Sequence, residues 1–205
     1  KYLNSAGVDV SVSTVDDKVA SYSSIDESLI KDVDSNIKVY RTKSFEIINW
    51  YSSLVGKKNV PTAGFSNVNN EGWIQKLATA IRSNFFIPDP RIGWNKYAYK
   101  KAIEIIQKES ITTVITTSPP HSTQLIGLKL KRKLGIKWIA DLRDPWTDIY
   151  YYDLLRHSSI SNKINKQFER KVFKHADEIL TVSKGLKNLF SQRFGSKIGK
   201  KTTII

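Results

Sequence analysis

The residue types best suited to chemistry concentrate in one short run, Asp141-Leu142-Arg143-Asp144-Pro145-Trp146. Two carboxylates and a guanidinium follow an apolar stretch that is typical of a buried strand. Such groups can accept a hydrogen bond from a substrate hydroxyl and can offset the charge of a diphosphate. Strand alternation would send Asp141 and Arg143 to one side and Asp144 to the other. An internal ion pair between Arg143 and an aspartate is the competing structural interpretation, because buried charges need partners.

A second run, Thr117-Ser118-Pro119-Pro120-His121-Ser122, carries a strand through two prolines into a helix. The unpaired N–H groups and the dipole at a helix N-terminus suit an anion or a sugar hydroxyl. His121 in the first turn could exchange a proton near neutral pH. An ordinary capped helix with an exposed histidine is the alternative interpretation.

The third run extends from Ala176 to Lys184 and joins a predicted strand to a helix. Ser183 has the residue type and position of a helix cap. Lys184 opposes the helix dipole, which would be explained if it contacts an anion. A solvated surface lysine is the simpler explanation.

Alternating strands and helices are expected to position these three runs. Predicted strands cover Val8–Val15, Ile37–Arg41, Thr112–Thr117, Ile136–Leu142, Glu178–Val182 and Thr202–Ile205. Predicted helices cover Trp94–Lys108, Pro119–Leu134 (capped by Ser118), Ile160–His175 and Lys184–Phe194. The β-branched stretch Thr112–Thr117 predicts a strand buried on both faces. The pattern predicts an α/β, Rossmann-like parallel sheet with helices on both faces. Ligands of such sheets bind at the carboxyl ends of the strands, which is where all three runs fall.

Composition excludes several classes of site and suggests an anionic partner. The 205 residues fit one domain and contain no cysteine, which excludes disulfides and thiol nucleophiles. The three histidines lack metal-ligand spacing and no dinucleotide motif follows a strand, so we expect no metal and no cofactor. Residues 1–40 hold 4 Lys/Arg and 7 Asp/Glu, a balance of −3, so the net charge of +14 leaves +17 on the remainder. Such an excess predicts nucleic acid, an acidic membrane or a phosphate-bearing substrate as partner.

The three runs together resemble the N-terminal domain of family 4 glycosyltransferases, which have the GT-B fold. Phe86–Trp94 also resembles a segment common among bacterial members. The resemblance covers residues 86–205 well and 1–15 loosely. It implies that residues 1–205 form a single Rossmann-like domain, and that the first strand and a C-terminal donor-binding domain lie outside this sequence. Residues 42–93 would be an irregular insertion rich in aromatic and basic residues.

The resemblance implies transfer of a hexosyl group from a nucleotide-sugar donor, with retention and without a metal. This half would bind the acceptor, a lipid-linked or polysaccharide precursor, and would be inactive alone. It implies a cytoplasmic enzyme peripheral to the inner face of the membrane, with weak contact to anionic lipid. Many relatives carry a histidine where Arg143 and Asp144 stand. These two are the expected catalytic residues, and the expected substrate-binding residues are Ser118, Pro119, Pro120, His121, Ser122, Asp141, Trp146, Ser183 and Lys184.

The competing hypothesis is a basic α/β domain that binds nucleic acid or a membrane surface without catalysis. Basic clusters on two predicted helices support a surface role. The lysines are spread over several helices, and no recognised nucleic-acid motif is present, so no nucleic acid is expected as a partner.

Overall fold

The computed structural model describes residues 2–20, 26, 28, 33–45, 80, 81 and 83–205. Much of the predicted insertion at 42–93 lies outside these residues, as does most of Glu71–Arg82, for which the sequence predicts a further helix. The described chain is α/β, with parallel sheets flanked by helices. The predicted fold class is therefore confirmed.

The elements fall close to their predicted bounds. The strands are β1 (Ser11–Val15), β2 (Lys38–Thr42), β3 (Thr113–Ser118), β4 (Lys137–Leu142), β5 (Glu178–Thr181) and β6 (Thr202–Ile204). The α-helices are α1 (Tyr2–Ser5), α2 (Asn95–Glu109), α3 (Ser122–Leu134), α4 (Ser159–His175), α5 (Lys184–Phe194) and α6 (Ser196–Lys200). In the described part of the chain, 3-10 helices cover Pro90–Trp94 and Asp153–Leu155. α3 ends at Leu134 and is followed by the cap residue Gly135, which adopts φ 68°.

The strands form two parallel sheets. One contains β1 and β2, and the other has the order β3-β4-β5-β6. Ser118 pairs with Leu142 at the ends of β3 and β4, and Asp141 pairs with Leu180 of β5. β3 and β4 are therefore parallel neighbours in the larger sheet. The ends of β3, β4 and β5 define one edge of the sheet, called the carboxyl edge below.

The main core packs α3, α4 and α5 against one face of the larger sheet. Trp138, Ala140 and Ile179 supply that face and contact apolar side chains such as Phe173 and Phe190. α3 leaves room for the Trp138 indole by carrying a glycine, Gly127, against it, and a Cβ there would clash with the ring. A second cluster joins α2 to α3. Tight packing behind β4 therefore fixes the strand whose end carries the charged run.

The prediction that β3 is buried on both faces is wrong. Thr113, Ile115 and Thr117 are exposed, and Ile115 retains 45% of its accessible surface. They alternate with Val114, Thr116 and Ser118, which turn toward α3. β-branched side chains favour a strand whichever faces are covered, so their run could not reveal the exposed face.

A polar cluster joins the small sheet to the end of α2. Glu109 accepts hydrogen bonds from the Ser11 hydroxyl at 2.5 Å, the Tyr40 hydroxyl at 2.5 Å and the Lys38 ammonium at 3.2 Å. The hydroxyls of Ser11 and Tyr40 are the main cause that lowers the pKa of Glu109 to about 2. Three donors from two strands therefore converge on one carboxylate and hold β1 and β2 beside α2.

Candidate functional site

Two loops meet at the carboxyl edge: the proline turn, residues 118–122, and the β4 loop, residues 143–148. The Arg143 amide donates to the Ser118 carbonyl at 3.2 Å. The His121 and Trp146 rings stack with centroids 4.8 Å apart and planes 9° from parallel. The prediction that these loops open on the same edge is confirmed. Because the two loops contact each other, a shift in one loop would displace the other.

Ser118 does not cap α3, contrary to the prediction. Its side chain is fully buried, where the hydroxyl donates to the Asp141 carbonyl at 3.3 Å and accepts from the Gln124 amide at 2.9 Å. The helix starts at Ser122, later than the predicted Pro119. Ser118 therefore joins the ends of β3 and β4 through its buried hydroxyl.

Asp89 supplies the missing cap from outside the turn. Its carboxylate accepts from the Ser122 amide at 2.7 Å and from the Ser122 hydroxyl at 2.8 Å. The next amides, of Thr123 and Gln124, already donate to carbonyls within the turn. These amides, expected to be free for an anion or a sugar hydroxyl, are therefore occupied, and a carboxylate stands beside them.

Gln124 is a buried polar residue that the sequence reasoning missed. Its amide nitrogen lies 2.9 Å from the Asp141 carbonyl and 3.1 Å from the Thr116 carbonyl. Its oxygen accepts from the Thr116 hydroxyl at 2.6 Å, and that hydroxyl also accepts from the Trp138 indole at 2.8 Å. This network ties α3 to β3 and β4 directly below the carboxyl edge, so the site rests on a rigid support.

His121 is held as a neutral ring. It lies half-buried against Trp146, and its Nδ1 atom is buried with no hydrogen-bond partner among the residues that the structure describes. Burial lowers the pKa of His121 to about 4. Near neutral pH the imidazole is then uncharged, which counts against the expected proton exchange there. His121 instead offers a flat uncharged ring and, with Trp146, forms a wall of the site.

Three charged residues at the end of β4 and the start of the β4 loop make different contacts. The Arg143 guanidinium donates from Nε to the Asp141 carboxylate at 3.1 Å, so the predicted internal pair exists and involves Asp141. Arg143 keeps 56% of its side-chain surface exposed. Asp144 is half-buried and makes no hydrogen bond or ion pair within the described part of the chain. Burial is the main cause that raises the pKa of Tyr151, and the charge of Asp144 is the next. Within the described residues, Asp144 is thus a hydrogen-bond acceptor without a fixed partner.

The run at the end of β5 behaves as an ordinary helix start. The Ser183 hydroxyl accepts from the Leu186 amide at 3.2 Å, which confirms it as the cap of α5. Lys184 is exposed beside it. The Thr181 hydroxyl donates to the Leu142 carbonyl at 2.9 Å and so joins the ends of β5 and β4. The exposed lysine therefore lies at the carboxyl edge that carries the other two loops.

The expected site residues divide into a reachable group and a supporting group. Ligands can reach the exposed or half-buried side chains of Pro119, Pro120, His121, Arg143, Asp144, Ser183 and Lys184. The supporting group is buried and consists of Ser118, Ser122, Asp141 and Trp146. Asp89 joins this support although no role was predicted for it. Its segment, Phe86–Trp94, carries part of the family resemblance. A cap supplied from 33 residues away, however, leaves no local sequence signal.

Comparison with known protein families gives a match over more than half of the chain. The sequence model described as Glycosyltransferase Family 4 matches residues 61–205, which include the proline turn, the β4 loop and α5. No curated protein matches the chain. In the described part of the chain, no helix has the length and apolar character needed to cross a membrane.

Proposed function

Because the chain belongs to glycosyltransferase family 4, we propose that it binds the acceptor for transfer of a hexosyl group from a nucleotide-sugar, with retention of anomeric configuration. The supporting observation is which charged residues pair with each other at the end of β4. Asp141 neutralises Arg143 in part, and the Asp144 carboxylate at the carboxyl edge makes no hydrogen bond or ion pair with the residues that the structure describes. A pre-placed acceptor of this kind is what binding and orienting a hydroxyl group requires.

Each reachable group then has a role that its chemistry supports. Asp144 accepts a hydrogen bond from a sugar hydroxyl of the acceptor or donor. Arg143 and Lys184 offer positive charge to the diphosphate of the donor. The neutral His121 ring, stacked on Trp146, forms an apolar wall against which a sugar ring can lie. No step here needs a titrating histidine, in agreement with the low pKa of His121.

The test of this chemistry uses the full-length protein, since the resemblance places most donor-binding groups in a C-terminal domain outside this sequence. Release of nucleoside diphosphate is measured over a panel of nucleotide-sugars, with and without a lipid extract as acceptor. We expect acceptor-dependent release from one donor, and an α or β product linkage that matches the donor. Release from no donor would contradict the proposal, and an inverted product would contradict retention alone.

The proposed acceptor is lipid-linked, presented at the inner face of the membrane to a cytoplasmic, peripheral protein. The outer side of α4 supports this: its five basic residues are all exposed, and its single acidic residue, Glu169, is buried. We call this surface the α4 basic face, formed by Lys163, Lys166, Arg170, Lys171 and Lys174. At its start, Ile160 is 73% exposed, and Tyr150 in the preceding segment is 89% exposed. Basic and apolar groups together suit an anionic bilayer surface.

The other basic cluster, on α3, is less available for lipid. Lys131 pairs with Asp177 at 2.8 Å, and the Lys129 ammonium lies 4.0 Å from the centre of the Tyr99 ring. Two of the four basic residues of α3 are therefore engaged, and a triple change on this helix serves as a control of equal charge for α4. Of the two basic clusters, we therefore assign lipid contact to the α4 basic face alone.

Vesicle co-sedimentation tests this surface. Each basic residue near an anionic surface contributes about 1 kcal/mol at low salt, so the triple change Lys163→Gln, Arg170→Gln, Lys174→Gln should weaken binding at least about tenfold. The matched triple on α3, which removes the same charge, is Lys129→Gln, Arg132→Gln, Lys133→Gln and should bind nearly as well as wild type. Equal binding to neutral and anionic vesicles would contradict the proposal. Tighter binding to RNA than to vesicles would favour the nucleic-acid alternative.

A further inference from the structure

A polar stripe on the buried side of α4 has no role in the chemistry described so far. Ser161, Asn165 and Glu169 recur every four residues, and each is about 1% exposed. Residues at this spacing lie above one another on one helix face. Buried polar groups are costly without partners, so a stripe of three implies a specific set of contacts.

Two members of the stripe hold the β4 loop. Asn165 accepts from the Trp146 indole N–H at 3.2 Å. Glu169 accepts from the Thr147 amide at 3.3 Å and from the Thr147 hydroxyl at 2.8 Å. The third member, Ser161, donates instead to the Ser83 carbonyl at 2.8 Å and so holds a different segment.

Arg193 completes the arrangement from the last turn of α5. Its Nη2 lies 3.0 Å from the Glu169 carboxylate and 2.5 Å from the Thr147 hydroxyl. Its Nη1 contacts the Asp148 carboxylate. One guanidinium therefore joins a helix, a buried carboxylate and two consecutive residues of the loop. Burial is the main cause that raises the pKa of Glu169, and burial lowers the pKa of Arg193, as expected for charged groups withdrawn from water.

We propose that Asn165, Glu169 and Arg193 are positioning residues that fix the β4 loop from behind and thereby set the geometry of Asp144 and of the His121–Trp146 stack. The chain of contacts is short. Glu169 and Arg193 hold Thr147, its neighbour Trp146 is held by Asn165, and Trp146 stacks on His121. Only Pro145 separates Asp144 from Trp146 in the sequence. The turnover part of this inference rests on the proposed function, whereas its geometric part does not.

Two substitutions test the contacts with different severity. Glu169→Gln replaces one acceptor oxygen by an NH2 group, which cannot accept from Thr147 or Arg193. Thr147→Val is milder, because it keeps the shape and removes only the hydroxyl. Thr147→Ser retains the hydroxyl and serves as the conservative rescue. Ser161→Ala is the matched control, since it alters the same stripe without touching the loop.

The first readout is NMR on this chain, whose three histidines make the imidazole signals few. In Glu169→Gln and Thr147→Val, we expect the Trp146 indole signal to move and the pKa of His121 to rise from about 4 toward 6.5, because a loosened Trp146 exposes the ring. Thr147→Ser and Ser161→Ala should keep wild-type values. Unchanged Trp146 and His121 signals in both test variants would overturn the proposal, whether or not the protein transfers sugar.

The second readout is turnover in the full-length protein. A displaced loop should lower kcat at least tenfold in Thr147→Val while the donor KM changes less than about twofold, since orientation and not ground-state binding is lost. Thr147→Ser should restore kcat. A wild-type protein that turns over, with Thr147→Val and Glu169→Gln equally fast, would overturn the inference and leave the proposed function standing. A wild-type protein without turnover counts against the proposed function, and the NMR result then decides the inference alone.

Discussion

The substitution Asp144→Ala should lower turnover strongly and leave stability almost unchanged. Asp144 makes no hydrogen bond or ion pair within the described part of the chain, so its removal leaves no buried partner unpaired. The free energy of unfolding should therefore change by no more than about 0.5 kcal/mol. If the carboxylate accepts one substrate hydrogen bond, its loss costs about 1.5–3 kcal/mol in the transition state, or roughly ten- to a hundredfold in kcat/KM.

The assay is nucleoside-diphosphate release by the full-length protein, with melting temperature measured on the same samples. Asp153→Ala is the matched control, because Asp153 is an exposed carboxylate further along the same connection and outside the β4 loop. The control should keep wild-type turnover. A loss below threefold for Asp144→Ala in a normally folded protein would refute the assignment. A large drop in melting temperature would show instead that Asp144 supports the fold.

Three further predictions follow from the packing and the pKa shifts. Gly127→Ala should destabilise the protein by about 1–3 kcal/mol in urea unfolding, because its methyl group meets the Trp138 indole, and an unchanged midpoint would contradict this packing. The lowered pKa of Glu109 means that its stabilising contribution is present above about pH 4.5 and is lost as the pH falls toward 2. The stability gap between wild type and Glu109→Gln should therefore close on acidification, and a constant gap would count against the cluster. By NMR, the His121 imidazole should titrate near pH 4, and a midpoint above 6 would show that Trp146 does not bury it.

Local sequence patterns were sufficient for most of the larger sheet. The β-branched run ending at Thr117 and the apolar run ending at Leu142 each precede a helix, and that alternation requires parallel neighbours. Because parallel neighbours end at the same edge of a sheet, the sequence also indicated that the loops after these strands share an edge. The cap of α5 by Ser183 was also predictable, because its donor lies only three residues away.

Long-range contacts explain what the sequence did not reveal. The cap of α3 comes from Asp89, and the partner of Thr147 is Glu169, 22 residues further along. No local pattern specifies such pairs. The one available signal was the polar spacing of Ser161, Asn165 and Glu169 on an otherwise apolar helix face, which marks buried contacts without naming their partners.

The low pKa of His121 was equally unpredictable. It depends on the Trp146 ring that stacks against it from another loop. A histidine at a helix start suggests a titrating group, but burial by a distant side chain decides its charge. Charge state in this site is thus a property of the tertiary structure.

The most direct test of the central claim is to locate the bound acceptor. The full-length protein, labelled at arginine and histidine side chains, would be titrated with its lipid-linked acceptor in detergent and followed by NMR. The site at the carboxyl edge predicts that the signals of Arg143 and His121 shift together and that the same titration of Asp144→Ala gives at least tenfold weaker shifts. Saturable acceptor binding that leaves both signals unmoved, or that Asp144→Ala does not weaken, would contradict the account.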